Sequence, residues 1–263
     1  MNGCLPPSKS EWIRAALLKS YEPSIQIDYT GKSAVLCDDI RQAQAAFENL
    51  VNNLPADAGG SATAFRFAVL RASRMKGIHR ISGKPSLLSR PQQPLLDFLK
   101  NVGVRATVTG ATWEVESSGW KTLSPSTSIP VDSSHSSQFA SAVLLNSIDL
   151  ESDLKVSVSE NMVSKSYFRL TLDMLEQAGI KWTQSGSEFV IAAHQKLKPV
   201  TFTIEPDFSC AFAIAAFATL NGQTYSAPTR TSRQPDACFA DIFEKMRATT
   251  GRMELKAINQ NLT

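Results

Sequence analysis

This 263-residue chain is poor in residues that announce chemistry by themselves. It has four cysteines, Cys4, Cys37, Cys210 and Cys238, and none stands in a CxxC or other metal-ligand spacing. A chain of this size does not rely on disulfides for its core, so reduced thiols and a cytoplasmic location are expected. The three histidines, His79, His135 and His194, show no ligand spacing and support neither a Ser-His-Asp nor a Cys-His arrangement. Neither GxGxxG nor a P-loop pattern occurs, which argues against nucleotide cradles of those kinds. No apolar run approaches the length of a membrane span. Met1 to Leu5 lack the basic and apolar regions of a signal peptide. Charge of one sign is also scarce: a net +3 is too little for a nucleic-acid or membrane field. It suits small anionic ligands, which need a few placed cations.

What is present is a repeat on an ordinary globular composition, 43% apolar and 19% charged. Pro94 to Ser117 reads as an amphipathic helix, a Gly stop, and two short strands around a Gly turn. Thr171 to Ala193 reads the same way. Leu95, Leu96 and Leu99 answer Leu172, Met174 and Leu175; Gly103 answers Gly179; Trp113-Glu114-Val115 answers Glu188-Phe189-Val190. A weaker third copy is Phe239 to Ile258, with Arg247 in place of the Gly. The spacing, roughly 70 to 75 residues, exceeds that of common solenoids and implies a sizeable unit. Further apolar-faced helices are expected at Ser10 to Lys19, Ala62 to Ala72, Ser137 to Ser147 and Ser209 to Leu220, with strands at Leu154 to Val158 and Val200 to Ile204. The unit is therefore β-α-β-α-β-β, and the fold class is α/β built by repetition.

Several helices are expected to open on serines. Ser8 with Glu11 forms the pattern of a capping box, placing Lys9 and Ser10 in a first helical turn. Ser136-Ser137-Gln138 opens a second helix and Ser164-Lys165-Ser166-Tyr167 a third. Helix N-termini offer unpaired N–H groups and a favourable dipole, so such serines can hold a phosphate as well as cap a helix. Arg14 lies one turn beyond Ser10, Arg66 follows Thr63 near a helix start, and Arg90 precedes Pro91 at another. Asp207 immediately precedes a strongly apolar helix, where it could serve as a cap.

These residues, in order, resemble the phosphoshikimate enolpyruvyl transferases, the EPSP synthase family. Leu5-Pro6-Pro7-Ser8-Lys9-Ser10 with Arg14 to Leu18 is similar to the family's LPGSKS…RALLLA opening, and Ala62-Thr63-Ala64-Phe65-Arg66 to NAGTAMR. Ser89-Arg90-Pro91 resembles the RP helix start, Ser136-Ser137-Gln138-Phe139 the SSQF segment, and Ser164-Lys165-Ser166-Tyr167 the SKPY segment. Glu205-Pro206-Asp207-Phe208-Ser209 is similar to E-x-D-x-S, and Gln234-Pro235-Asp236 with Phe239 to QGD..F. The blocks cover nearly the whole chain. The departures are Pro7, Gly60, Ala62, Ser133 and Ser166 at family Gly, Asn, Gly, Gly and Pro positions, and nothing after Leu262 answers the family's later motifs.

The resemblance implies two domains, each of three β-α-β-α-β-β units arranged as an inside-out barrel, with substrates between them. Residues 9–203 would form a complete three-unit domain binding phosphoshikimate; residues 1–8 and 204–263 would belong to a partial second domain. It implies transfer of the enolpyruvyl group of phosphoenolpyruvate to the 5-hydroxyl of shikimate 3-phosphate through a tetrahedral intermediate, with release of phosphate and without metal or cofactor. By position, Lys9 would touch both substrates and, with Asp207, take part in catalysis. Ser10, Arg14, Ser136, Ser137, Gln138, Ser164 and Tyr167 would hold shikimate 3-phosphate, and Arg90 would reach phosphoenolpyruvate. The alternative is a non-catalytic phosphoshikimate-binding remnant or fragment. A complementary C-terminal fragment is the partner expected for turnover; nucleic acid and membrane are not expected. The sister enzyme acting on UDP-N-acetylglucosamine is disfavoured by the SKS, SSQF and SKxY blocks together.

Overall fold

The computed structural model describes residues 5–30, 35–121, 127–221, 232–239 and 241. In chain order its elements begin with α1 (Lys9–Lys19), β1 (Gln26–Tyr29), α2 (Asp38–Val51), β2 (Ala56–Asp57), α3 (Ala62–Ser73) and β3 (Gly77–Ser82). There follow α4 (Pro85–Leu88), α5 (Gln93–Asn101), β4 (Arg105–Thr109), β5 (Thr112–Ser117), β6 (Ser128–Val131) and α6 (Gln138–Leu145). The last are β7 (Leu154–Val158), α7 (Lys165–Gln177), β8 (Trp182–Ser185), β9 (Glu188–Ile191), β10 (Thr201–Ile204) and α8 (Phe208–Leu220), then a 3-10 turn over Pro235–Cys238. Among the described residues no helix is long and apolar enough to cross a membrane.

Two sheets share one plan. In strand order they are β2-β3-β5-β4 and β6-β7-β9-β8, with the first pair parallel and the others antiparallel. Each is a β-α-β-α-β-β unit. A third sheet has two strands, β1 and β10, paired in parallel from Gln26↔Thr201 to Tyr29↔Ile204. It ties residues near the start of the chain to residues 175 positions later, as that register requires.

The repeat is deeper in some places than the sequence suggests and shallower in others. Helices α5 and α7 stop on Gly103 and Gly179, at φ +73° and +87°. Helix α2 stops in the same way on Asn53, at φ +58°. In all three, the N–H of the next residue reaches back to close a Schellman turn: Leu54 to Asn49 O at 2.8 Å, Val104 to Leu99 O and Ile180 to Leu175 O at 2.9 Å. Asn tolerates the left-handed conformation through its short polar side chain, so this copy carries no glycine signal. After α5 and α7 the chain makes a β-hairpin, whereas α2 runs directly into β2. The expected copy at Phe239 to Ile258 lies outside the described residues apart from Phe239 and Asp241.

One alignment needs correction by a residue. The hairpins close on Thr109↔Thr112 and Ser185↔Glu188, so Trp113 answers Phe189 rather than Glu188. Alternation along a strand has period two, and a one-residue slip would send every side chain to the other face. Trp113 and Val115, like Phe189 and Ile191, are buried. Each aromatic meets a ring from a helix of its own unit, Phe65 on Trp113 at 5.4 Å and Phe168 on Phe189 at 5.1 Å.

The helices that open the three sets, α1, α3 and α6, form the interior. Ile13, Leu17, Phe65, Phe67, Leu70, Ala140 and Leu144 are all fully buried, and these helices pack on one another with the sheets outside. Burying such a side chain contributes about 1.5–3 kcal/mol against leaving it in water. At the C-terminal ends, Arg71 stacks on Tyr21 at 4.0 Å and Arg74 donates to Ile148 O at 2.8 Å, placing cations where the helix dipoles are negative. The opposite, N-terminal ends are left to face a cavity.

Candidate active site

That cavity, about 530 Å³, is lined by the first turns of α1, α6, α7 and α8 and by Thr63 of α3. It brings together Lys9, Ser10, Arg14, Ser136, Ser137, Gln138, Ser164, Tyr167 and Asp207. Arg90 is not in its wall. It follows α4, is exposed, and lies near enough to Arg66 for the two charges to interact.

Two stretches of chain run antiparallel beneath the mouth. Pro7 bridges to Pro206, Ser8 N–H donates to Glu205 O at 2.8 Å, and Asp207 N–H donates to Pro6 O at 2.8 Å. This pairing displaces the expected capping box. Ser8 is the N-cap of α1 but its hydroxyl makes no cap bond, and Glu11 accepts the Glu205 N–H at 3.0 Å instead of reaching back to Ser8. Glu11 is fully buried and ion-pairs with Arg233. Burial pushes its carboxyl above the usual range, with Arg233 and the Glu205 N–H working against the rise.

Asp207 does cap α8, its Oδ1 accepting the Cys210 N–H at 2.8 Å. Its Oδ2 also accepts the Lys9 N–H at 3.1 Å. Lys9 extends to Asp39 of α2, Nζ to Oδ2 3.0 Å. Burial opposes the Lys9 charge, but Asp39, Cys37 and Asp207 outweigh it and the pKa is raised.

Arg14 is 2% exposed and is bound by neutral partners: Nε donates to Thr171 Oγ1 at 2.8 Å, Nη1 to Ser10 O at 2.7 Å and Nη2 to Tyr167 O at 3.1 Å. Its guanidinium carries five N–H groups, so one remains on each terminal nitrogen. Burial lowers its pKa to about 10. Tyr167 donates its hydroxyl to Asp236 Oδ2 at 3.0 Å, and Ser209 hydrogen-bonds the same oxygen. Burial and then Asp236 drive the Tyr167 pKa up to about 12, so the phenol stays protonated and able to donate. Ser164 occupies the N-cap position of α7 without a side-chain cap bond, in the left-handed conformation, φ +54° and ψ +43°. For a residue with a Cβ that is strained backbone, worth about 1–3 kcal/mol, and such strain clusters at functional sites.

The expectation from sequence left out Thr63 and His135 of the lining and the carboxylates Asp39 and Asp236, which bind Lys9 and Tyr167; Thr63 and Asp236 stand within the motif blocks, whereas no local pattern marks Asp39 or His135. What the arrangement can do chemically is bind anions: four helix N-termini, a buried arginine, a lysine and several hydroxyls converge on one space.

The fold is shared with two solved structures. EPSP synthase from Acinetobacter baumannii superposes with a TM-score of 0.62 at 18% identity, over 82% of this chain and 52% of that one. The enolpyruvyl transferase NikO from Streptomyces tendae gives 0.54 at 15% identity, over 82% and 55%. The sequence is more specific. Residues 30–261 match the family profile of EPSP synthase (3-phosphoshikimate 1-carboxyvinyltransferase), and the chain belongs to that family. It is 31% identical to the 3-phosphoshikimate 1-carboxyvinyltransferase of Methanosarcina mazei over 92% of its length and 61% of that protein's. To the protein of the same name from Methanococcoides burtonii it is 32% identical, over 73% and 46%. The chain thus spans about half the length of the curated relatives it matches.

Proposed function

We propose that the cavity binds shikimate 3-phosphate and that the chain serves enolpyruvyl transfer from phosphoenolpyruvate in the shikimate pathway, in the cytoplasm. What supports this reading is a single coincidence: every residue the family motifs nominate, save Arg90, meets in one cavity floored by helix N-termini. Ser136, Ser137 and Ser164 take the phosphate at the starts of α6 and α7. The two free N–H groups of Arg14 fit a carboxylate end-on. Gln138 and Tyr167 border the ring, and Arg90 and Lys9 take phosphoenolpyruvate. In the reaction, the 5-hydroxyl oxygen gives up its proton and bonds to the central carbon of the enol while the methylene carbon gains a proton and becomes a methyl group. Loss of a proton from that methyl group, with cleavage of the bond to phosphate, then expels phosphate and restores the double bond. Lys9 carries a proton beside the leaving phosphate, and Asp207, which binds the Lys9 backbone N–H and whose charge acts on the Lys9 side chain, is the acid–base candidate.

The test is calorimetric titration of the whole chain with shikimate 3-phosphate. Binding in the micromolar to millimolar range that is lost in Arg14→Met and weakened in Ser137→Ala is expected. No heat and no thermal shift at millimolar ligand would sink the reading.

A further inference from the structure

Arg66 stands beside this cavity without being part of its wall, and it is held in an unusual way. It is 6% exposed, with its guanidinium over the Phe139 ring at 4.1 Å. Its hydrogen-bond partners are neutral: Nε donates to Gln92 Oε1 at 3.1 Å, and Nη1 donates to Ser136 Oγ at 3.0 Å and to Gln138 Oε1 at 2.7 Å. Burial first, and the nearby Arg90 second, lower its pKa to about 10, so it is charged at neutral pH.

An arginine donates and never accepts. Every group facing it must therefore present an acceptor, and what is left of that group is a donor. Gln138 turns its carbonyl oxygen to Arg66, which leaves its amide hydrogens for the cavity it lines. Ser136 Oγ accepts from Arg66 and also from the Gln138 N–H at 3.3 Å. A hydroxyl has two acceptor lone pairs and one proton, so with both lone pairs engaged the proton remains to be given. Gln92 shows how firmly Arg66 dictates these orientations. Its carbonyl oxygen is turned to Arg66, and its buried Nε2 is left without a partner among the described residues. Flipping that amide would set N–H against N–H.

We infer that Arg66 is a positioning residue that makes Ser136 and Gln138 donors only, so that this wall of the cavity favours the charged acceptor oxygens of a phosphoryl group over the weaker acceptor of a neutral hydroxyl. The inference rests on the proposed shikimate 3-phosphate site and adds the source of its preference for the phosphorylated ligand. Ser136 and Gln138 belong to the unit of β6–β9, and Arg66 to the unit of β2–β5, so the selection depends on the packing of two units.

The experiment compares shikimate 3-phosphate with shikimate by calorimetry on the wild-type chain, Arg66→Met and Arg66→Lys. Methionine keeps the packing on Phe139 and removes the donors; lysine keeps the charge and removes the planar fork. Arg66→Met is expected to weaken shikimate 3-phosphate about tenfold or more, the loss of one charge-assisted hydrogen bond. Shikimate should change less than about twofold. Arg66→Lys should also lower the ratio of the two affinities. An unchanged ratio in a folded Arg66→Lys would overturn the inference, since charge alone would then suffice. A ligand-free double-mutant cycle in melting temperature, Arg66→Met with Gln138→Ala, supplies a second readout. Coupling between the two is expected, and strict additivity would overturn the positioning role. If the wild-type chain binds neither ligand, the proposed function fails while the cycle still decides whether Arg66 orients Gln138.

Discussion

The carboxylate of Asp207 joins the first turns of two helices, accepting the Lys9 N–H with one oxygen at 3.1 Å and the Cys210 N–H with the other at 2.8 Å. An N-cap that serves one helix contributes about 1 kcal/mol; here the same group serves α1 and α8. Asparagine has a single acceptor oxygen and an amide that would oppose the second N–H. Asp207→Asn should therefore cost about 1 kcal/mol and Asp207→Ala about 2 kcal/mol in urea unfolding. Equal stability of all three proteins would show that the double cap is not an energetic contact.

Arg14 couples α1 to α7 through Thr171 and the Tyr167 carbonyl. Hydrogen bonds from a charged donor count for about 1.5–3 kcal/mol each, and loss of this one leaves buried acceptors short of partners. Arg14→Met is expected to destabilise by about 2–4 kcal/mol and to abolish the thermal shift caused by shikimate 3-phosphate. A variant that melts like wild type and still responds to ligand would place Arg14 outside both roles.

Ser164 is held at φ +54°, which glycine adopts without a Cβ penalty. Ser164→Gly should raise stability by about 1 kcal/mol, offset in part by the extra freedom of glycine in the unfolded chain. It should at the same time weaken shikimate 3-phosphate by removing a hydroxyl from the start of α7. Melting curves and calorimetry on the same preparation check both signs; a loss of stability would mean the Ser164 side chain supports the turn.

Glu11 sets a pH dependence. Its folded-state pKa is raised, chiefly by burial, above an ordinary value of 4.5. The folded chain therefore holds this proton more tightly than the unfolded one. The corresponding stability is complete below pH 4.5 and is lost as pH rises through the raised value. The stability of wild type relative to Glu11→Gln should be greatest at acid pH and should fall toward neutrality. Urea midpoints at a series of pH values measure that difference; a gap that widens with pH would contradict the sign.

Turnover by this chain alone should be slow. Around the cavity, Lys9 already pairs with Asp39 and Arg14 and Arg66 are engaged by neutral partners. Shikimate 3-phosphate and phosphoenolpyruvate together bring two phosphates and two carboxylates, and burying such charge needs fixed cations. Phosphate release with both substrates is expected to be weak and to rise when a C-terminal fragment of a longer relative is added. Sustained release by the purified chain without it would contradict the expectation.

Much of this arrangement is legible in the residues. Gly103 and Gly179 mark helix stops because only a residue tolerant of positive φ closes that turn, and both do. Serines at 136, 137 and 164 mark helix starts because unpaired N–H groups favour them, and α6 and α7 begin there. Asn53 makes the same stop as the two glycines but gives no comparable signal, since asparagine is common in turns of every kind. The capping box at Ser8 and Glu11 is a local pattern overruled by the distant segment just after β10, whose Glu205 N–H takes the Glu11 carboxylate.

By itself, then, the sequence determined the repeat around Gly103 and Gly179, the starts and stops of the helices it marks with serine or glycine, the family and the set of residues that could meet an anion. These are local properties: a φ value, a cap, a period of burial. Only the tertiary structure decided that the first turns of α1, α6, α7 and α8 share one cavity, that Asp207 serves two helices, and that Arg66 governs Ser136 and Gln138 from 70 and 72 residues away. Hydrogen bonds across such separations depend on how whole units pack, and no spacing along the chain encodes the direction in which an amide or a hydroxyl must turn.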